Sequence, residues 1–337
     1  MTRYSRRQII KMIGVSTAAG AAWKLGFNRH HSAFVEVTES RVLMGTVVNL
    51  TVIGKDEGMA KTAVSTTLDH MAHLESILSR HRADSEVSTL NREGVLNNAS
   101  QPLLDVIEQA QQISNLSNGA FDITIKPLVD LYQAHHARGE LPEETAVSTT
   151  KQLVNYKNIT IDSKTISFAQ PGMSITLDGI GKGYVVDAGT AVLHQHGFTN
   201  VMVEAGGDLM ASGEKAAAQP WRIGVQSPHP QVESVLAKFN LSNQAAATSG
   251  DYMQPFTADM SQHHILDPRT GYSAPELASV TVTAPAVMLA DGLATAVTVL
   301  GSKMGLNLIN QLVHTEAYLV TKAMQTIQTK GFGFKTV

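Results

Sequence analysis

A chain of 337 residues, 43% of them hydrophobic, is long enough to bury one large core or two modest ones, and its composition is neither disordered nor collagen-like. Its 26 basic residues nearly balance 29 acidic ones, and a formal net charge of -3 offers no field to draw in a nucleic-acid backbone, so DNA and RNA are not expected partners. The absence of cysteine removes disulfides, thiolate metal sites, cysteine nucleophiles and a lipid-modified cysteine, which leaves a chemistry of oxygens and nitrogens.

The first thirty residues do not read as part of the fold. Ser5-Arg6-Arg7 precedes a moderately apolar run from Met12 to Phe27, the pattern of a twin-arginine export signal, with Ala19-Gly20-Ala21 a candidate cleavage site. Residues 1–29 are expected to be this signal, and residues 30–337 a single soluble domain, periplasmic or otherwise extracytoplasmic. Next, β-branched residues from Val35 to Leu50 and at Val52 predict strands broken near Met44-Gly45. Leu68, Met71, Leu74 and Leu78 recur at three- and four-residue spacing and predict a helix from Thr62 to Leu78, with a second from Leu103 to Leu116. Between them, the serines and acids from Ser79 to Glu86 can cap a short helix. Gly119 is placed to end a helix and Asp122 to cap the next element. With helices early and many strands late, the order predicts an α+β fold of mixed helices and mainly antiparallel strands rather than a regular βαβ array.

From Ile175 the pattern predicts a strand, a glycine turn at Gly179-Ile180-Gly181-Lys182-Gly183, and a helix from Tyr184 to about His196. Amides at such a turn, a helix N-terminus and a lysine make an anion site. The dinucleotide fingerprint needs its third glycine where Tyr184 stands, and the phosphate loop of nucleoside triphosphatases lacks its first glycine, so neither named nucleotide fold applies. Glu204-Ala205-Gly206-Gly207-Asp208 ends a strand in two glycines that let backbone approach a flat ligand. The segment from Ala247 to Tyr252 is expected to gather hydroxyls, a carboxylate and a phenol in one turn, and His264 stands beside an Asp267-Pro268 turn. Asp291 and Thr295, four residues apart on a helix, would share a face and offer hard oxygen ligands suited to magnesium.

In order, Met44-Gly45-Thr46, Ser85, Asn91, Gly119-Ala120-Phe121-Asp122, the Gly-Lys-Gly-Tyr turn, Gly206-Gly207-Asp208, Thr248-Ser249-Gly250-Asp251-Tyr252, His264 to Gly271 and Ala290 to Thr295 resemble the ApbE family of FAD:protein FMN transferases. The resemblance implies an ApbE-like, T-fold-related architecture with FAD in a central cleft, contacted by Met44, Ala120, Phe121, Asp122, Thr176, Lys182 and Ile265. It implies a magnesium site at Asp291, Thr295, the Gly179 carbonyl and Ala294, and His264 as the base that activates an acceptor hydroxyl. One departure stands out: where the family commonly has Asp-Leu, this chain has Thr176-Leu177 followed by Asp178. The implied reaction is magnesium-dependent transfer of FMN from FAD to a threonine or serine of an acceptor flavoprotein, expected in a membrane-associated electron-transfer system, with release of AMP. An FAD pyrophosphatase and an exported flavin-binding or delivery protein are the alternatives.

Overall fold

The computed structural model describes residues 34–215, 219–229 and 235–333; the expected export signal at residues 1–29 lies outside them. The body that begins at Phe34 is one unit. It opens with a hairpin of β1 (Val35–Leu43) and β2 (Thr46–Gly54), closed in register at Leu43 and Thr46. The two turn residues, Met44 and Gly45, take φ of 52° and 72°, the left-handed pair that matches strand twist in a tight hairpin.

Helix α1 (Glu57–Leu78) starts earlier than its apolar stripe because Asp56 accepts the Met59 N–H as an N-cap. Ser85 caps α2 (Glu86–Glu93) by accepting the Ser88 N–H, as the polar connection predicts. α3 (Gln101–Leu116), α4 (Lys126–His136), α5 (Glu144–Lys151), α6 (Gly181–Gln195) and α7 (Val287–Ile309) come next. The remaining strands are β3 (Val95–Leu96), β4 (Ile159–Asp162), β5 (Thr165–Phe168), β6 (Asn200–Ala205), β7 (Asp208–Ser212), β8 (Trp221–Gln226), β9 (Val235–Leu241), β10 (Gln244–Gly250), β11 (Leu277–Ala284), β12 (Glu316–Thr321) and β13 (Thr326–Gln328).

The main sheet runs β1-β2-β6-β7-β10-β11-β12-β13, each neighbouring pair antiparallel, so the expected α+β class holds. Alternate side chains feed two cores. Val201, Val203, Ala245, Ala247, Val280, Val282 and Leu319 join α1, α3, α6 and α7 on one face. Leu209, Ala211, Ala246, Tyr318 and Val320 pack on the other against Trp221, Val225, Phe239 and Leu241 of the β8–β9 hairpin. Helix α7 is long and apolar enough to cross a bilayer, with mean hydropathy 1.3, yet most of it is buried between the sheet and the other helices.

Three local expectations are corrected. The segment at Ile175 is extended but joins no sheet, because its N–H and carbonyl are taken by the Asn91 side chain at 2.6 and 2.9 Å. The helix after it starts at Gly181 rather than Tyr184, so the glycines after Gly179 form its first turn. Residues Ala247 to Ser249 are not in a turn but in β10; the turn begins at Asp251 as a short 3-10 helix.

Candidate active site

The site is built where the N-termini of α6 and α7 meet. A Cβ at Gly183 would stand 2.6 Å from the Met288 Cα and the Val287 carbonyl oxygen, so only glycine permits this approach. One turn along α6, the Asp187 carboxylate accepts the Val287 and Met288 N–H groups, each at 2.9 Å, and caps α7 from outside its own chain segment. Burial pushes Asp187 up to about 6 against the pull of those two bonds.

This docking aims Asp291, one turn into α7, at the start of α6: its Oδ2 accepts the Gly183 N–H at 3.2 Å. In a regular first turn that N–H would go to the Gly179 carbonyl. Here no described donor takes that carbonyl. Thr295, one turn further, has its Oγ1 3.0 Å from Ser249 Oγ in β10, and Gly179 lies so close that a Cβ there would be 2.9 Å from the same hydroxyl. Asp291, Thr295 and Gly179 are thus brought together. Ala294 is buried in α7, and its carbonyl accepts the Thr298 hydroxyl at 2.8 Å.

Charge concentrates beside these oxygens. Lys182, in the first turn of α6, forms a direct ion pair with Asp208 at the head of β7. Burial works to lower the lysine, but Asp208 and Asp291 outweigh it and hold the ammonium above its ordinary value. Burial first, then Asp208, push the Asp291 carboxyl well above the carboxylate range, with Lys182 opposing. Two buried carboxylates therefore share one ammonium, a balance that favours a further cation. Among the described residues no group of three or more His, Cys, Asp or Glu side chains gathers at a metal-holding distance. A cation here would rely on one carboxylate, a hydroxyl, a backbone carbonyl and oxygens brought by water or a phosphorylated substrate. That set is hard and suits magnesium.

The two adjacent histidines differ sharply. His263 is fully buried, its Nε2–H donating to the Ala274 carbonyl at 2.9 Å while Nδ1 accepts the Ile265 N–H at 3.3 Å. His264 keeps a buried Nδ1 with no partner among the described residues. Burial lowers it to about 4 although the Asp178 charge works the other way, so the ring is neutral near pH 7 with a nitrogen to spare.

The other expected contacts surround this cluster unevenly. Ala120 and Ile265 pack in one small apolar group with Ala274 and Val299. Phe121 borders Gly179, its ring 3.4 Å from where a Cβ would be. The Met44 turn abuts the Gly206 turn through Thr46, at the end of the sheet that presents Asp208. The Asp122 oxygens accept from the Thr124 N–H and hydroxyl and from the Tyr156 N–H at 2.6–2.8 Å. Thr176 is buried, its hydroxyl accepting the Asp178 N–H at 3.2 Å. Asp208 and Ser249 complete the cluster; both lie in segments singled out by sequence, but nothing in spacing pairs them with Lys182 and Thr295. Surface cavities of about 370 Å³ beside His135 and 380 Å³ beside His70 share no lining residue with the cluster.

The fold that carries this oxygen-lined, lysine-bearing cluster is one that flavin transferases share. The structure is similar to flavin transferase ApbE from Vibrio cholerae, with a TM-score of 0.76 and 28% identity over 89% of this chain and 98% of that one. It is likewise similar to the ApbE protein of Thermotoga maritima, with a TM-score of 0.81 and 27% identity over 88% and 98%. The ApbE family model matches residues 44–319, and the chain belongs to that family. Its relatives include the FAD:protein FMN transferases of Vibrio cholerae, 32% identical over 78% of this chain and 81% of the relative, and Haemophilus influenzae, 31% identical over 86% and 87%.

Proposed function

We propose that this protein moves the FMN half of FAD onto a threonine or serine hydroxyl of a target flavoprotein and releases AMP, using magnesium held by Asp291, Thr295 and the Gly179 carbonyl. The observation that carries the reading is the convergence, beside Lys182, of a buried carboxylate, a hydroxyl and a carbonyl with no partner among the described residues, with the neutral His264 in electrostatic reach of Asp178. FAD is read as lying in a central cleft bordered by the Met44 turn, Ala120, Phe121 and Ile265.

Magnesium bound at these oxygens would neutralise pyrophosphate charge and favour departure of AMP. Lys182, held protonated, stabilises the charge on the transferring phosphoryl oxygens. His264 accepts the proton of the acceptor hydroxyl as its oxygen bonds to the FMN phosphorus and the phosphorus–oxygen bond to AMP breaks. The acceptor is left carrying FMN through a phosphodiester.

Mass spectrometry of purified protein incubated with FAD, magnesium and a threonine-bearing acceptor tests this. The acceptor should gain one FMN per AMP released, and Asp291→Ala should abolish the gain. Free FMN with AMP would instead identify a pyrophosphatase, and FAD left intact would overturn the transferase reading. The twin-arginine pattern supports export, which places the acceptor outside the cytoplasm, with membrane-associated electron-transfer flavoproteins the expected class. Replacing both Arg6 and Arg7 by lysine should retain the protein in the cytoplasmic fraction; unchanged export would remove that reading.

A further inference from the structure

To serve the proposed magnesium site the Gly179 carbonyl would have to face Asp291 and Thr295, yet Gly179 has no side chain to hold it, since the Thr295 hydroxyl occupies the space a Cβ would need. Its peptide is tied on the other side, where the Ile180 N–H bonds the Leu177 carbonyl at 3.0 Å. The Gly181 N–H bonds the same carbonyl at 2.7 Å, and a further restraint falls on the preceding residue, Asp178. There an arginine arrives from 98 residues away: Arg80 Nε lies 3.1 and 2.9 Å from the two Asp178 oxygens, and a terminal nitrogen lies 2.8 Å from Oδ2.

Arg80 is not a solvated surface partner. Its side chain is only 12% exposed, against 50% for Asp178, so the guanidinium comes from the protein side and the carboxylate from the open side. Its root is fixed as well, because the Arg80 carbonyl accepts the Ser88 hydroxyl of α2 at 3.3 Å. Contact with both carboxylate oxygens gives a planar, orientation-specific grip that a lysine cannot reproduce fully.

We propose that Arg80 is a positioning residue: by gripping Asp178 it fixes the 177–181 turn so that the Gly179 carbonyl faces Asp291 and Thr295, and thereby raises the affinity of the substrate-loaded site for magnesium. The proposal rests on the magnesium reading given above and adds to it a pair that replaces a side-chain anchor at Gly179.

The test measures FAD binding by flavin fluorescence across a magnesium series, with thermal unfolding alongside, for the full-length protein and its Arg80→Gln, Arg80→Lys, Asp178→Asn and Arg80→Gln/Asp178→Asn variants. Removing a partner that orients a metal ligand should raise the half-saturating magnesium concentration about tenfold. Either single change should have this effect, the double should be no worse than a single, and Arg80→Lys should recover part of the loss. If Arg80→Gln weakened FAD binding while Asp178→Asn left it unchanged or tightened it, the guanidinium would be contacting substrate and the clamp would be refuted. A lowered unfolding midpoint with an unaltered magnesium response would reduce the pair to a structural tie and refute it equally. A wild-type protein with no magnesium response would instead overturn the metal reading beneath the proposal.

Discussion

His263 and His264 occupy consecutive positions and have opposite duties. The first spends both ring nitrogens on the loop that carries the second, which keeps one nitrogen free among the described residues. His264→Ala should therefore retain FAD binding while slowing transfer by about 10²- to 10⁴-fold, as loss of a general base does. His263→Ala should lower stability by about 1–3 kcal/mol, because the Ala274 carbonyl and Ile265 N–H lose a buried partner; urea denaturation separates the two. Sequence points to His264 only through family resemblance, since the difference between the rings lies in a carbonyl eleven residues on. Asp291 and Thr295 were legible by contrast, because helical spacing alone puts them on one face. The pairing of Lys182 with Asp208 was not, because 26 residues and a change of element separate them.

At the scale of elements, α7 is held at its start by a residue of another helix. Asp187 has a folded-state pKa of about 6 against an ordinary 3.8, so folding favours its protonated form. Its contribution to stability is full below pH 3.8 and is lost as pH rises through about 6. The difference is on the order of 2–3 kcal/mol. Urea denaturation at several pH values should show that Asp187→Asn, which keeps one accepting oxygen, removes this fall; an unchanged slope would mean that another group titrates. The sequence made both helices legible through their apolar and glycine patterns. It misplaced the start of α6 and supplied a strand at Ile175 because β-branched residues there look like a ladder. In fact the Asn91 side chain, 84 positions away, satisfies the same backbone groups.

Across the whole molecule, the sheet separates two cores, and the smaller depends on one hairpin. Trp221 is almost fully buried and donates its indole N–H to the Ser212 carbonyl at 3.0 Å. Trp221→Ala should cost about 3–5 kcal/mol in denaturant titrations, the usual loss for a large buried aromatic, without altering FMN transfer by a still-folded enzyme. The α+β class was visible in the order of elements; the strand order was not, because β2 pairs with β6 across more than a hundred intervening residues. The apolar length of α7 would bear on any export of the chain. Threaded through a membrane channel as an extended chain, that stretch would meet the lipid as a segment long enough to lodge there. Folded beforehand, the same stretch lies under the sheet with Asp291 turned toward Gly183 and is hidden from lipid. Were the chain exported, a route that accepts folded cargo would leave this helix both greasy and harmless.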